Sequence, residues 1–340
     1  MVAWQATHGR SGLPWQATRD PYRVWLSEIM LQQTQVATVL NYYPRFLARF
    51  PDVEQLAAAS QDEVLALWSG LGYYSRARNL HRCAQAVVLQ HGGQFPPTQS
   101  VLQTLPGIGR STAAAISAFC FDERVAILDA NVRRVITRVL AFAEDLALAS
   151  NERALWSGAT ALLPGAAHAP DMPHYTQALM DLGATVCQPR KPACLVCPVN
   201  DLCLANGEGQ PERYPVKSRK LKRSAQSLWL LCARRKDGSV WLQRRPDSGI
   251  WAGLYCPPVF GSSEELAAAV PMRNVPQLQE GLAFKHVLTH KDLYLHPVQW
   301  LADARVQPEG AGQWFAATEW PKMGLPAPVR ALLTSAVPDV

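Results

Sequence analysis

Four cysteines near the middle of the chain carry the clearest chemical signal in the sequence. Six, two and five residues separate them, and prolines between them prevent a regular helix; the thiols belong to Cys187, Cys194, Cys197 and Cys203. Four thiolates in one short loop are the ligands that an iron–sulfur cubane requires. The spacing therefore predicts a [4Fe–4S] cluster. It leaves a four-sulfur zinc site as the alternative, although zinc ligands usually form two close pairs far apart, and it disfavours disulfides.

The other four cysteines share no such spacing. They occur in apolar stretches and are expected to be buried core thiols, at Cys83, Cys120, Cys232 and Cys256.

A glycine-rich turn precedes the cysteine loop. The sequence Leu-Pro-Gly-Ile-Gly-Arg-Ser-Thr at residues 105–112 lies between two helical patterns, and Gly107 and Gly109 allow the backbone to turn tightly. The helix that follows presents N–H groups at its start, which predicts a seat for a DNA phosphate. An ordinary connection between two helices is the alternative.

Asp129 follows some twenty residues later, at the predicted start of another helix. The helix dipole and nearby amides are expected to keep this carboxylate ionised, so that it could stabilise a developing cation. Capping alone is the plainer interpretation. The order of turn, helix, aspartate and cysteine loop favours the catalytic one.

Composition indicates a protein of more than one domain. The 340 residues are 48% hydrophobic and 18% charged, which is enough for a large core. No apolar run reaches about eighteen residues, and the first ten residues lack the pattern of a secretion signal. The sequence therefore predicts a soluble protein of a reducing compartment.

Positive charge is concentrated before residue 226. Residues 1–225 contain 22 Lys and Arg against 17 Asp and Glu, whereas residues 226–340 contain 11 against 10. This mild excess agrees with a polyanionic partner without requiring one. The densest basic cluster lies among Gly and Pro residues, in a predicted linker at 206–225, and comprises Lys217, Arg219, Lys220, Lys222 and Arg223. A solvated tether and a strap across DNA phosphates explain this cluster equally well.

The periodicity of apolar residues separates two kinds of structure. Helical spacing recurs over residues 21–48, 61–68, 74–90, 98–103, 110–120, 130–142, 151–162 and 172–184. Beyond the linker, runs at 228–231, 240–242, 284–288 and 293–300 predict strands, and 327–337 predicts a closing helix. The expected fold is an all-α domain over residues 1–205, followed by a smaller α/β domain over residues 226–340.

Residues 14–203 resemble the helix–hairpin–helix DNA glycosylases that carry a [4Fe–4S] cluster, and nearly the whole chain is similar to the adenine DNA glycosylase (MutY) family. The resemblance rests on the glycine turn, the cysteine loop and four further motifs: Leu-Pro-Trp at 13–15, Trp-Leu-Ser-Glu-Ile-Met-Leu-Gln-Gln-Thr-Gln at 25–35, Gly-Leu-Gly-Tyr-Tyr at 70–74 and Leu-Asp-Ala-Asn-Val at 128–132. It implies a monomeric enzyme of base excision repair that removes adenine mispaired with 8-oxoguanine or guanine from double-stranded DNA. It also implies a cytoplasmic location in association with the bacterial nucleoid.

The resemblance also implies catalytic residues. Glu28 would be the acid that protonates adenine, because apolar neighbours raise the pKa of a carboxyl, and Asp129 would be the anion beside the sugar. Asn131 would orient this pair, with helix capping as the alternative. Ser111 stands where the related endonuclease III type has its nucleophilic lysine. Since a hydroxyl cannot form a Schiff base, the implied reaction is hydrolysis without strand cleavage.

Implied DNA contacts come from three segments. The glycine turn contributes Leu105, Gly107, Gly109 and Arg110. Gln33 and Tyr73 would fill the gap that an extruded base leaves in the duplex. The third segment is a loop of the C-terminal domain, at Leu288, Thr289 and His290.

The C-terminal domain resembles the family's lesion-recognition module, which has the Nudix fold, through its turn at residues 249–255. Its loop at 288–290 stands where the family commonly has Phe-Ser-His, so an aromatic ring is missing from it. Glu264 and Glu265 alone do not form the glutamate-rich metal box of a Nudix hydrolase. Recognition of 8-oxoguanine, without nucleotide hydrolysis, is therefore the implied role.

Two rival functions belong to other classes. A bifunctional glycosylase and lyase acting on damaged pyrimidines is disfavoured by Ser111. A cluster protein that only binds DNA or senses redox state does not need both Glu28 and Asp129. The cluster is expected to shape the cysteine loop and its basic surface, including Arg190 and Lys191, for contact with phosphate.

Overall fold

The computed structural model describes residues 1–166, 171–218, 222–303, 306 and 308–335. The chain divides into two compact units. Unit 1 comprises Met1–Ala57 and Arg82–Lys220, and unit 2 comprises Ala58–His81 and Leu221–Val340. The sequence-based domains differ in assigning residues 58–81 to the helical part, and their boundaries stay a prediction. Arg219 and Lys220 of the predicted basic linker lie outside the described residues.

Unit 1 is helical, as the sequence predicts. Its helices are α1 (Val2–His8), α2 (Pro21–Leu31), α3 (Val36–Arg49), α4 (Val53–Ala58), α7 (Gln99–Leu102), α8 (Arg110–Phe121), α9 (Ala130–Val139), α10 (Ala149–Ala161), α11 (Met172–Thr185) and α12 (Leu204–Gly207). Helix α5 (Gln61–Trp68) belongs to unit 2, as does Ala58 at the end of α4, and α6 (Ser75–His91) is divided between the units. No helix of the described segments is long and apolar enough to cross a lipid bilayer.

One predicted helix proves to be two. The continuous pattern over residues 21–48 is interrupted between α2 and α3, where Gln33 takes a left-handed backbone with φ of 55°. A residue with positive φ cannot continue a right-handed helix, so α2 ends before Gln33 and the chain turns there. The interruption places the polar residues that follow Glu28 in a turn.

Small side chains let the helices of unit 1 approach closely. Helix α8 buries Ala113, Ala114, Ala115 and Ala118 completely, and α2 packs beside it. On α11, a Cβ added to Gly183 would lie 2.8 Å from the Cβ of Asn131 on α9. These close crossings bring the starts of α8 and α9 toward α2 and α11.

Unit 2 is built on a mixed sheet. Within the described residues it has eight strands, β1 (Ser224–Arg234), β2 (Val240–Arg244), β3 (Tyr255–Cys256), β4 (Val259–Phe260), β5 (Gln279–Glu280), β6 (Phe284–Val287), β7 (Lys291–Leu301) and β8 (Gly312–Phe315). The main path is β3-β2-β1-β7-β5, with β4 on β1, β6 on β7 and β8 on β2. Strands β1 and β7 are parallel, from Ser224 opposite Lys291 to Arg234 opposite Leu301, and the other pairs are antiparallel.

The core of unit 2 packs aliphatic and tryptophan side chains of the sheet against a short helix. Leu231, Trp241 and Trp300 face Leu266 of helix α13 (Ser263–Ala268). Helix α14 (Ala327–Ser335) closes the unit, and residues 336–337 of the predicted closing helix lie outside the described residues. The mixed α/β character expected after the linker is therefore confirmed.

Candidate active site and cluster loop

A cavity of about 1200 Å³ lies within unit 1, and the predicted catalytic residues meet there. Its walls come from α2, α8, α9, α11 and the segment that precedes α2. The predicted residues that line it are Glu28, Gln33, Ser111, Asp129 and Asn131. The structure thus brings together residues that are up to about a hundred positions apart in sequence.

Glu28 lies on α2 between buried neighbours. Trp25 is fully buried on the same helix, whereas Glu28 keeps a small exposed fraction at the cavity. Burial raises the pKa of Glu28 to about 8, and the negative charge of Asp129 adds to the effect. Glu28 therefore retains its proton at neutral pH.

Asp129 caps helix α9. Its Oδ1 accepts a hydrogen bond of 2.6 Å from the Val132 N–H, which confirms the predicted helix start. Burial nevertheless raises the pKa of Asp129, so the helix start is not the only influence on this carboxyl, and its expected ionisation stays a prediction. The amides of Val132 and Asn131 and the cations Arg134 and Arg10 oppose that rise.

The two carboxyl groups therefore differ in their surroundings. Asp129 has amides and cations nearby that favour its ionised form. Burial and the neighbouring anion Asp129 favour the protonated form of Glu28. A single proton shared by the pair belongs on Glu28. This is the division between acid and anion that the sequence predicts.

The side chain of Asn131 is hydrogen-bonded to Arg134. Its Oδ1 accepts 3.0 Å from Arg134 Nη2, and Arg134 also donates 2.6 Å to the Gly183 carbonyl and 2.8 Å to the Cys187 carbonyl. The contact of Asn131 with Asp129 is through its main-chain N–H. The orienting role of Asn131 stays a prediction, and the group that could orient Asp129 is the main-chain N–H of Asn131, not its side chain.

The glycine turn is formed as predicted in outline. Gly107 takes a left-handed φ of 77°, but Gly109 has φ of −83° and caps α8, so only the first glycine uses glycine's conformational freedom. Gly107, Gly109 and Arg110 are exposed, and the Arg110 guanidinium lies 3.9 Å from the centre of the Trp156 ring.

Leu105 corrects one predicted DNA contact. Its side chain is buried, at 3% exposure, and its N–H donates to the Leu102 carbonyl. Leu105 therefore anchors the turn from within, because neither group is available to a phosphate.

The predicted wedge lies in unit 2 with the predicted recognition loop. Tyr73, at φ of 47°, follows Gly72 at φ of 72°, and the residue is 41% exposed. The buried Arg76 lies 5.5 Å from that ring centre and donates to the Leu71 and Gly72 carbonyls. The hydroxyl groups of Tyr73 and Thr289 are hydrogen-bonded to each other.

Residues 288–290 form a three-residue hairpin loop between β6 and β7. Thr289 and His290 are exposed, and Leu288 is partly buried, its N–H donating to the Lys291 carbonyl. Arg223 donates to the Thr289 carbonyl at 3.1 Å and pairs with Asp292. The loop is thus fixed at its base and open at its tip.

The two glutamates of the incomplete metal box stand at a helix start. Glu265 accepts 2.8 Å from the Gly261 N–H, and its own N–H donates to Ser262 Oγ. Because Ser262 caps α13 and both glutamates lie in the first turn, where Glu265 reaches back to the Gly261 N–H, the arrangement matches a role in starting the helix.

The four cysteines of the loop surround a second, smaller cavity with Arg138, Asn200 and Asn206. In the part of the chain that the structure describes, no three His, Cys, Asp or Glu side chains are grouped to bind a single metal ion. None of these four cysteines forms a disulfide. Sulfurs that surround a space, rather than a point, match a ligand set for a multi-atom cluster.

Arg138 provides a physical test of the fit to a cluster. It is 2% exposed and donates to Cys187 Sγ at 3.2 Å, and to the carbonyls of Gln188, Pro189 and Tyr214 at 2.7, 3.1 and 3.2 Å. A buried guanidinium requires nearby negative charge. A [4Fe–4S] centre held by four thiolates supplies it, because its net charge is negative, so the residues fit the group.

Of the other four cysteines, Cys83, Cys232 and Cys256 are buried as predicted, and Cys120 is only partly buried.

Sequence reasoning missed five charged or polar residues around the two cavities: Arg10, Arg134, Arg138, Gln177 and Asp181. The available signal is a charge within an apolar helix pattern. Asp181 stands among Leu179, Met180 and Leu182, and Arg134 and Arg138 are four residues apart on α9. Such positions indicate a buried charge but do not name its partner.

Comparison with protein families agrees with this architecture. Residues 26–158 match the HhH-GPD superfamily of base excision DNA repair proteins, residues 187–203 match the iron–sulfur binding domain of endonuclease III, and residues 229–335 match the NUDIX domain. The predicted helix–hairpin–helix fold, cluster loop and Nudix-like domain are therefore confirmed, and the loop holds a [4Fe–4S] cluster instead of zinc.

Individual relatives match either nearly the whole chain or about three fifths of it. An adenine DNA glycosylase of Buchnera aphidicola (subsp. Acyrthosiphon pisum) is 33% identical over 98% of this chain and 95% of its own length. The human adenine DNA glycosylase is 42% identical over 63% of this chain and 40% of its own. Among solved structures, a thermostable thymine-DNA glycosylase matches with 30% identity and a TM-score of 0.53, over 61% of this chain and 93% of that one.

Proposed function

Because this chain belongs to the adenine DNA glycosylase family, and is thus a DNA glycosylase of base excision repair, we propose that it acts as a monomer on adenine mispaired with 8-oxoguanine or guanine in double-stranded DNA. The observation that carries the proposal is the pair of Glu28 and Asp129 in one cavity, with a proton favoured on Glu28. That pair matches the chemistry of a glycosidic bond to a purine.

Breaking this bond requires help at both ends. Adenine is a poor leaving anion, and the sugar left behind resembles an oxocarbenium ion. Glu28 donates its proton to a ring nitrogen of the extruded adenine, N7 by family resemblance, as the electron pair of the glycosidic bond passes to the base. The base then leaves neutral, and Glu28 is left as a carboxylate.

Asp129 acts on the sugar. Its negative charge stabilises the positive sugar carbon, as a fixed anion or a transient covalent partner. The Glu28 carboxylate then accepts a proton from the water that adds to the sugar carbon, which restores the acid. Ser111 lines the cavity and no lysine does so among its described lining residues, which supports hydrolysis without a Schiff base or strand cleavage.

Recognition of the opposite base is assigned to unit 2. The exposed tip of the 288–290 loop presents the Thr289 hydroxyl and the His290 imidazole, and these are the groups that would hydrogen-bond to 8-oxoguanine. Tyr73 and Gln33 occupy exposed, left-handed turns, a geometry suited to side chains that fill the space of an extruded nucleotide.

A glycosylase assay under single-turnover conditions tests the substrate. Duplexes with adenine opposite 8-oxoguanine, guanine and thymine are compared, with strand scission developed by alkali. We expect the fastest release opposite 8-oxoguanine, slower release opposite guanine and none opposite thymine. Equal release from all three duplexes would contradict the mispair preference, and a borohydride-trapped adduct with cleavage before alkali would contradict the hydrolytic mechanism.

Two substitutions test the carboxyl pair. Glu28→Gln and Asp129→Asn should each lower the rate of adenine release by at least about a hundredfold, and DNA binding should be retained. Glu54→Gln, on an exposed face of α4, and Asp20→Asn, at the N-cap of α2 outside the cavity, are the matched controls. Wild-type rates in either cavity variant would remove the basis of the mechanism.

A further inference from the structure

Asp181 is a buried carboxylate on α11 that the mechanism above does not use. It is 0% exposed and accepts three hydrogen bonds, from the Arg10 main-chain N–H at 3.1 Å, from Arg10 Nε at 2.8 Å and from Gln177 Nε2 at 2.8 Å. A buried anion is costly unless it is paired and hydrogen-bonded, and these contacts meet that need.

Both partners of Asp181 belong to the catalytic cavity. Arg10 and Gln177 line its wall, and the Arg10 side chain is 33% exposed although its partner is fully buried. The pair therefore reaches from the protein interior to the cavity surface. A Cβ added to Gly9 would lie 2.9 Å from Asp181 Oδ2, so the segment that carries Arg10 approaches α11 closely.

The charge of Arg10 acts on the catalytic aspartate. Burial raises the pKa of Asp129, and Arg10 and Arg134 are the two cations that oppose this rise. Arg134 is held by three acceptors on α9, α11 and the cysteine loop. The position of Arg10 depends instead on Asp181, since the two are joined through both the main chain and the side chain.

We propose that Asp181 is a positioning residue for base removal: it holds Arg10 and Gln177 at the cavity wall so that the guanidinium faces Asp129. The inference rests on the proposed function, and it adds an electrostatic support to the anion beside the sugar. Stability alone does not explain the pair, because buried ion pairs can often be replaced by apolar side chains without loss of stability.

The expected signature is in the pH dependence of adenine release. The charged groups that act on Asp129 are Glu28 from α2, Arg134 from its own helix and Arg10 from the segment before α2. Arg19 from that segment and His174 from α11 line the same cavity. Loss of Arg10's positive charge raises the pKa of Asp129 further. The acidic limb of the rate profile then moves to higher pH by about one unit, which is a tenfold loss of rate on that limb. The alkaline limb, which Glu28 sets near pH 8, stays in place.

The experiment measures single-turnover release between about pH 5 and 9 with the cluster-loaded enzyme. Asp181→Asn and Arg10→Met should both shift the acidic limb, and the double variant should be no worse than Arg10→Met alone. Arg10→Lys should restore part of the shift because it keeps the charge. Glu152→Gln is the control, since it removes the partner of Arg133 from a 2.6 Å ion pair outside the cavity.

An unchanged acidic limb in Asp181→Asn, or losses that add in the double variant, would overturn the proposal. If Asp181→Asn does not fold, Arg10→Met and Arg10→Lys decide, and identical profiles for these two would also overturn it. Wild-type release opposite 8-oxoguanine is measured first. Failure there defeats the proposed function and this inference together, whereas normal wild-type release with unaltered variants defeats the inference alone.

Discussion

The catalytic cavity and the cysteine cavity lie in the same helical unit but are assembled in opposite ways. All four cysteines come from the 17 residues of 187–203, so one loop supplies the whole ligand set. The catalytic cavity takes its groups from α2, α8, α9, α11 and the segment before α2. A local ligand set can be recognised from spacing, whereas a dispersed one depends on the packing of several helices.

The charges of the two cavities are also opposite. Beside the cysteines the buried group is a cation, Arg138, and the thiolates bring the negative charge. In the catalytic cavity the buried groups are carboxyls whose pKa values burial raises. The first arrangement holds fixed charges and suits a permanent cofactor, whereas the second allows a proton to be transferred and recovered.

Among the substitutions that test this comparison, replacement of Arg138 should have the largest effect, which is a loss of bound iron. Arg138→Met removes the donor to Cys187 Sγ and to three carbonyls, of which that of Tyr214 is buried, and a buried acceptor left unsatisfied costs about 1–3 kcal/mol. We expect the purified protein to lose most of its iron and of its visible cluster absorbance. Arg138→Lys should lose less, because it keeps the charge but not the planar fork.

Arg153→Met, on an exposed face of α10, is the control for Arg138→Met. Full iron content in Arg138→Met would show that the guanidinium is a structural residue of the loop and that the cluster does not depend on its charge.

A smaller effect is expected where α9 and α11 meet. In Gly183→Ala the new methyl group would lie 2.8 Å from the Asn131 Cβ and 2.9 Å from its carbonyl oxygen, so the start of α9 must move. Overpacking of this kind lowers the free energy of unfolding by about 1–3 kcal/mol. Because Asp129 is displaced, the variant should release adenine roughly tenfold more slowly than wild type. The same substitution at Gly207, where a Cβ meets open space, is the control. An unaltered rate with a normal melting temperature would show that the crossing does not position Asp129.

Much of the local structure could be predicted from sequence because its causes are local. The starts of α8 at Arg110 and of α9 at Ala130 follow from a glycine and an aspartate cap, and the cysteine loop follows from its spacing. The break at Gln33 was missed, because neither Gly nor Pro marks the turn at residues 32–35 and glutamine also occurs on helix surfaces. Strands of two residues, such as β3 and β4, are too short to show alternation.

Long-range partners could not be predicted in the same way. Asp181 and Arg10 are 171 residues apart, and neither has a neighbour in sequence that indicates the other. Family resemblance supplied Glu28 and Asp129 because their motifs are distinctive, but the direction of the Asp129 pKa shift depends on burial, which spacing does not report. The buried side chain of Leu105 is a similar case, since a glycine turn does not show which side faces the core.

The smallest expected effect concerns stability and sharpens the contrast with the cluster loop. The pKa of Glu28 is raised from 4.5 to about 8 in the folded protein. Below pH 4.5 the carboxyl is protonated in both the folded and unfolded states, so Glu28→Gln should then have little effect. As the pH rises toward 8, the unfolded state ionises while the folded state keeps its proton, and wild-type stability falls relative to that of the glutamine variant.

We therefore expect Glu28→Gln to be more stable than wild type by about 1–3 kcal/mol near pH 8, although it is inactive. The difference should open between pH 4.5 and about 8 and then remain constant. Urea midpoints measured across this range, with Glu54→Gln as the exposed control, give the comparison. A variant of equal or lower stability at pH 8 would mean that Glu28 is not held as a buried acid, because an ionised and well-solvated carboxylate incurs no such cost.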